Sequence, residues 1–362
     1  MEQTGNKGEW SELYAFFKLL ADKELCAGDA NLNKIKDLIY PIISIIRHDV
    51  GNDFHYGYNE GNVVIKSSQG KVVNTIPIMQ FKKNAELLLV KINKGKGAFD
   101  VPEITDFRKQ TSTEYIKSPS TKKADITIVV HDNRTGTDPT LSFSIKSQLG
   151  SPATLLNSSQ NTNFIFRLSQ NIPTGEIERL NGVDGQTERM KIIADNGASL
   201  IFEGIQESKR TGDMYLCNLQ NIDSSIPEIM ANLVLIALSE GLSCVKDVIE
   251  RMTENNPLGF NMSHGHTYYE TKMKRLLTDT ALGMKPGELW NGRYEANGGY
   301  LVVREDGEVV CYHIYNKNEF EDYIYNNVKI DYPSRLRHDY GYVYEENGKQ
   351  KMKLNFQIRF IK

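Results

Sequence analysis

Between Glu9 and Leu20, apolar side chains recur at 10, 13, 14, 17 and 20. That spacing places them on one face of a helix, with Gly8 before it and Gly28 after it. Residues 35–46 form an apolar run interrupted by Pro41. It reads as a kinked buried helix or as a strand entered through a turn. Residues 62–66 and 71–76 flank Ser67-Ser68-Gln69-Gly70 and predict a β-hairpin. Helical spacing returns over 78–92 and stops at Asn93-Lys94-Gly95-Lys96-Gly97.

The middle of the chain is strand-rich. Residues 126–130 and 141–146 are β-branched or alternating, and His131 to Thr140 between them is rich in turn-forming Asp, Asn, Gly and Pro. Residues 164–168 predict another strand. A cap sequence with Pro227 in the first turn opens a helix at about 226–239, and helical patterns follow at 244–252 and 269–284. The last part returns to β pattern at 299–303 and 308–313, and 353–360 alternates as one closing strand. The chain is therefore expected to be α+β, with a soft boundary near 220 separating segments 1–220 and 221–362. One compact domain is the alternative.

Composition narrows the class. With 362 residues, 40% apolar and 25% charged, the chain is an ordinary globular protein rather than a disordered or fibrous one. Four widely spaced Cys make neither a zinc site nor a disulfide framework. The longest apolar stretch, residues 38–46, is about half of a membrane span, and no basic-then-apolar leader opens the chain. A reduced, cytoplasmic protein without a membrane partner is expected. The formal charge of −3 argues against a polyanionic partner until it is divided along the chain. Residues 66–123 hold 12 Lys/Arg against 5 Asp/Glu, and residues 329–362 hold 8 against 4. Two basic blocks on an acidic background suit a protein that grips phosphates. Solvated lysine-rich loops are the other reading.

Candidate chemistry lies in the hairpin of 126–130 and 141–146. Centred on its turn, it places Asp125 opposite Lys146, with Ser144, Lys146 and Gln148 alternating onto one face. A carboxylate and an ammonium at adjacent strand ends match metal-dependent phosphodiester cleavage. The carboxylate holds a hard cation, and the lysine orients or deprotonates water. A surface cross-strand ion pair is the alternative.

Asp125 followed by Ser144-Ile145-Lys146 resembles the PD-(D/E)xK nuclease core, with Ser144 where an acidic residue is usual. The wider text resembles HpaII-type restriction endonucleases. The likeness runs through Gly8-Glu9-Trp10-Ser11-Glu12, residues 143–151, Thr154-Leu155-Leu156-Asn157, Thr162-Asn163-Phe164, Ala281-Leu282-Gly283-Met284, residues 333–338 and residues 354–360. It covers most of the chain in order. It implies a restriction-endonuclease-like α/β/α core with a central mixed sheet, carrying helical and β-rich additions. It further implies a bacterial type II endonuclease that uses Mg²⁺ to cut double-stranded DNA at a short palindrome, CCGG for the HpaII type.

On that likeness Asp125 is the metal-binding carboxylate and Lys146 the catalytic lysine. Ser144 leaves the third ligand open, and no Asp or Glu follows Lys146 before Glu176. Glu12 on the first helix is the chosen replacement, nearer the apolar border than Glu9; Gln148 is second. Ser334, Arg335, Arg337 and His338 form a donor-rich turn suited to reading guanine edges or holding phosphates. Lys122 and Lys123 would stand near the scissile phosphate, while Asn157 and Asn163 offer loop donors, with turn chemistry as the other and preferred reading of residues 157–163. His264-Gly265-His266 is read as a loop. A palindromic target implies a homodimer, stable or formed on DNA. The alternatives are a catalytically inactive DNA-binding protein of the same ancestry and a nicking or repair nuclease.

Overall fold

The computed structural model describes residues 3–49, 51–116, 124–313 and 316–361. The chain divides into two units, Met1–Ala153 with Tyr294–Tyr323, and Thr154–Arg293 with Ile324–Ile361. The expected linear boundary near 220 is not followed, because two late strands cross back into the sheet of the first unit.

Helix α1 (Lys7–Asp22) opens the first unit. The Asn6 side chain accepts from the Glu9 N–H at 3.1 Å, and the Glu9 carboxylate accepts from the Asn6 N–H at 2.9 Å. This reciprocal cap satisfies two otherwise orphaned donors. Burial on α1 extends beyond the predicted stripe to Ser11, Ala15, Phe16 and Leu19, the mark of a helix enclosed on most sides. Between Trp10 and Leu20 on α1, Glu12 and Lys18 alone stay partly open. Helix α2 (Ile78–Lys94) packs beside α1.

The sheet of this unit comprises β1 (Glu24–Gly28), β2 (Lys34–Asp49), β3 (Asn52–Asn59), β4 (Asn62–Ser67), β5 (Val72–Pro77), β6 (Ile126–Val130), β7 (Thr140–Ser147), β8 (Gly299–Val303) and β9 (Val309–His313). Its order is β1-β9-β8-β7-β6-β2-β3-β4-β5, and β1 also pairs with β2. Six strands therefore close into a ring, while β3 to β5 extend from it. The β1–β9 and β7–β8 pairs are parallel and the others antiparallel, so the sheet is mixed. The run around Pro41 is a strand, not a kinked helix. Proline can lie there because β2 changes neighbours at that point, pairing with β1 up to Pro41 and with β6 from Ile42. Strand β8 enters through Gly298-Gly299. Gly299 has φ +102°, and a Cβ there would lie 2.0 Å from the Tyr312 carbonyl oxygen. Only glycine fits that approach.

The second unit has two smaller antiparallel sheets. One orders Leu200–Ile205, Phe164–Leu168, Lys349–Leu354 and Val343–Glu346; the other orders Val328–Asp331, Gln357–Phe360 and Thr154–Leu156. The single closing strand expected over 353–360 is broken at Asn355-Phe356 into two strands in different sheets. The helix Ile226–Glu240 starts with Pro227 in its first turn, buries ten residues and stops at left-handed Gly241. Among the described residues no single helix is long and apolar enough to cross a membrane. The cysteines Cys26, Cys217, Cys244 and Cys311 are free.

Candidate active site

The β6–β7 ladder pairs Ile126 with Phe143 and Thr127 with Ser142. The Asp125 N–H donates to the Phe143 carbonyl at 2.8 Å. The register is thus two residues away from the expected one, and Asp125 lies beside Ser144 rather than Lys146. The shorter turn explains the shift, since Asp132 and Thr137 already bridge across it and Gly136 turns with φ +65°. A two-residue shift preserves the face, so the chemistry stays together. Ser144 Oγ donates to Asp125 Oδ2 at 3.1 Å, the Ile145 N–H donates to the same oxygen at 2.7 Å, and Lys146 Nζ donates to Ser144 Oγ at 3.0 Å. Ser144 is therefore a buried bridge between the carboxylate and the ammonium.

A third strand completes the row. Parallel β8 sets Tyr300 beside Ser144 and Val302 beside Lys146. Lys146 Nζ lies 5.0 Å from the centre of the Tyr300 ring, within cation–π range. Tyr300 escaped the sequence reading although its strand was legible, because a parallel neighbour more than 150 residues away leaves no local signal.

Burial pushes the Asp125 carboxyl above its ordinary value, against the opposing pull of Lys146 and the two hydrogen bonds. Burial lowers the Lys146 ammonium, against the opposing charges of Asp125 and Glu12. Lysine is thereby shifted toward its neutral, proton-accepting form. Burial also raises the Tyr300 hydroxyl, with Tyr323 and Asp125 adding to the shift.

Glu12 and Lys146 line one cleft of about 960 Å³ in this unit. Ser147 Oγ donates to Ser11 Oγ at 2.8 Å, tying the end of β7 to α1 one residue before Glu12. Glu9 is occupied by the helix cap. Gln148 does not join the group: it lines a different cleft with Asn31, Leu32 and Arg304. It lies beyond the end of β7, where its N–H donates to the Val303 carbonyl at 2.9 Å. Among the described residues no three His, Cys, Asp or Glu stand together as a metal cage, and His264 and His266 are a loop pair. Asp125 and Glu12, the two carboxylates whose charges act on Lys146, are hard oxygen donors of the type that suits an oxygen-loving cation keeping much of its water.

In the second unit, Arg335–His338 form one helical turn capped by Ser334, which accepts from the Arg337 N–H. Residues two apart on a helix do not face one way, so the expected pair of arginine readers separates. Arg335 donates to the Val183 carbonyl at 3.2 Å and to Asp184 at 3.0 Å, and it stacks on Tyr342. Arg337 is exposed, as is Leu336 at 85%. The His338 pKa is lowered by burial and by Arg337. Asn163, expected among the loop donors, is fully buried instead. Its amide donates to Gln206 Oε1 and to the His338 carbonyl, both at 2.9 Å, and its oxygen accepts from Asn355 at 2.6 Å. It holds the turn from beneath. Asn157 is exposed. Lys122 and Lys123 lie outside the described residues.

The comparisons with known proteins agree over the whole length. The family model described as HpaII restriction endonuclease matches residues 6–360. The type II restriction enzyme HpaII of Haemophilus parainfluenzae is 47% identical over 362 residues, covering 99% of each chain. No solved structure matches. The chain is therefore a type II restriction endonuclease, an enzyme that cleaves double-stranded DNA at specific sites. It belongs to the HpaII restriction endonuclease family. Type II restriction enzymes generally use divalent metal ions, in keeping with the carboxylates Asp125 and Glu12.

Proposed function

We propose that this endonuclease cuts both strands of DNA at CCGG, with Lys146 acting on the attacking water beside a Mg²⁺ site formed by Asp125 and Glu12. The reading rests on one observation above all, the hydrogen-bonded row from Asp125 through Ser144 to Lys146. In it a half-buried lysine is stabilised by two carboxylates yet lowered in pKa by desolvation. Such a lysine orients water with its N–H groups when charged and takes a proton from it when neutral. A divalent cation on Asp125 and Glu12 would supply positive charge and Lewis acidity next to the phosphate. Ser144 positions Asp125 and Lys146 in place of the usual second acidic residue. The β6–β7–β8 row with α1 alongside supports reading the first unit as a restriction-endonuclease-like core.

Recognition is assigned to the second unit. Arg337 and His338 are exposed or half-exposed on the capped turn. Arginine is the side chain best matched to guanine O6 and N7, as a site of G·C pairs alone requires. A palindrome is cut symmetrically by two copies, so a homodimer, stable or assembled on DNA, is part of the reading. A location in the bacterial cytoplasm, where its DNA substrate lies, is part of the same proposal. Digestion of a mapped plasmid with Mg²⁺ and sequencing of the ends tests the whole. Both strands are expected to be cut at every CCGG. Ends at another sequence, or breaks in one strand only, contradict the proposal.

A further inference from the structure

The cleft that contains Glu12 and Lys146 has a second wall with no role in the chemistry above. It is built from the start of α1, Asn6-Lys7-Gly8, and the turn Gly95-Lys96-Gly97 after α2. The turn is tied to α1 rather than loose. Gly5 and Phe99 exchange two backbone hydrogen bonds of 2.9 Å, and Trp10 Nε1 donates to the Phe99 carbonyl at 3.0 Å. Lys7 Nζ donates to the Asn93 carbonyl at 3.2 Å. The turn's shape requires its glycines. A Cβ on Gly95 would lie 2.3 Å from the Phe99 ring, and Gly97 has φ +62°.

The charges on this wall are not neutralised from within. Lys91, on the same helix as the turn, pairs with Glu103, and Lys18 pairs with Asp22. Lys7 and Lys96 have no carboxylate partner among the described residues, and Lys96 is exposed. Among the described residues the cleft thus contains Lys7, Lys96 and Lys146 against the single carboxylate Glu12. Two unpaired cations on a braced wall beside a catalytic lysine suit an anion that extends beyond one reacting group.

We propose that Lys7 and Lys96 form a backbone clamp that holds the DNA phosphates immediately beside the bond to be cut. The proposal rests on the assignment of this cleft to catalysis. The clamp contacts phosphate and not base, so it contributes equally on any sequence.

The test uses the full-length enzyme with Lys7→Ala, Lys96→Ala, the double variant and Lys96→Arg, with Lys91→Ala as the control. Binding to a duplex without any recognition site is measured against salt concentration in the absence of divalent metal. Cleavage kinetics are measured separately on a cognate site. Each alanine is expected to reduce the salt slope by about 0.9, and the pair by about twice that. For the double variant KM should rise about tenfold or more while kcat stays within about threefold, the pattern of lost uniform binding. Lys96→Arg should restore the slope, and Lys91→Ala should leave it unchanged. A double variant with the parental slope and KM overturns the clamp. If Lys146→Ala still cleaves, the catalytic assignment fails instead, and the salt slopes remain a separate measurement.

Discussion

The Asp125–Ser144–Lys146 row and the Arg335–His338 turn achieve placement by different means. The row lies in a sheet, where ladder hydrogen bonds on both sides of β7 fix the spacing between side chains. The turn has no ladder. It is held from below by Asn163, from the side by the Tyr340 hydroxyl donating to the Pro333 carbonyl at 2.6 Å, and by Arg335 anchored to Asp184. The row should therefore tolerate loss of a single functional group without unfolding. The turn should lose its shape when one clamp is removed. Chemistry needs reacting groups within fractions of an ångström, whereas recognition benefits from a segment that settles against a groove.

The largest effect expected from a single carboxamide replacement is at Glu12, on the helix beside the row. Glu12→Gln should reduce cleavage on the order of 100- to 1000-fold and leave thermal unfolding unchanged, as measured by single-turnover kinetics and melting curves on one preparation. A melting shift as large as the kinetic loss would break the distinction. On the other side, Asn163→Ala removes one hydrogen-bond partner each from the Gln206 side chain, the His338 carbonyl and the buried Asn355 amide. It should cost on the order of 3 kcal/mol of stability and weaken discrimination between cognate and near-cognate sites. Urea unfolding and cleavage of sites with one altered base pair check both. A variant of unchanged stability would mean that the turn is braced elsewhere.

Smaller effects concern protons and caps. Burial holds Asp125 above its ordinary value of 3.8, so the folded state retains a proton that the unfolded chain loses. The stability that this proton contributes is full below 3.8 and declines as pH rises through the raised value. Unfolding of the parent relative to Asp125→Asn, followed upward from pH 3.8, should show the parent losing its relative stability; a relative gain contradicts the burial account. Smallest of all, Glu9→Ala should cost about 0.5–1 kcal/mol by removing the acceptor of the Asn6 N–H in the helix cap, with cleavage unaffected. It sits only one turn from Glu12 and separates capping from chemistry.

What could be read in advance followed from the range of the interactions. Helix α1, the β6 and β7 strands and the helix at 226–240 carry dense local periodicity and caps, and they appear nearly as spaced. Asp125, Ser144 and Lys146 share a face because alternation in a strand survives a two-residue error of register. The exact partner did not, since Asp125 is placed by the bridge Asp132–Thr137, a feature of turn geometry. Tyr300 depends on a parallel pairing across the chain, and the break at Asn355 depends on its buried bonds to Ser159 and Asn163. Neither has a local pattern. The burial of Asn163 has no local signal either, because polar loop residues look alike in sequence, whether they face solvent or satisfy buried groups.

We propose that Lys146, held by Ser144 and Asp125, performs the chemistry and does not merely bind DNA. Lys146→Ala should be compared with the parent on the same cognate duplex, measuring affinity without metal and cleavage with Mg²⁺. Cleavage is expected to fall by about 10²- to 10⁴-fold with duplex affinity nearly retained. Cleavage at the parental rate would contradict it.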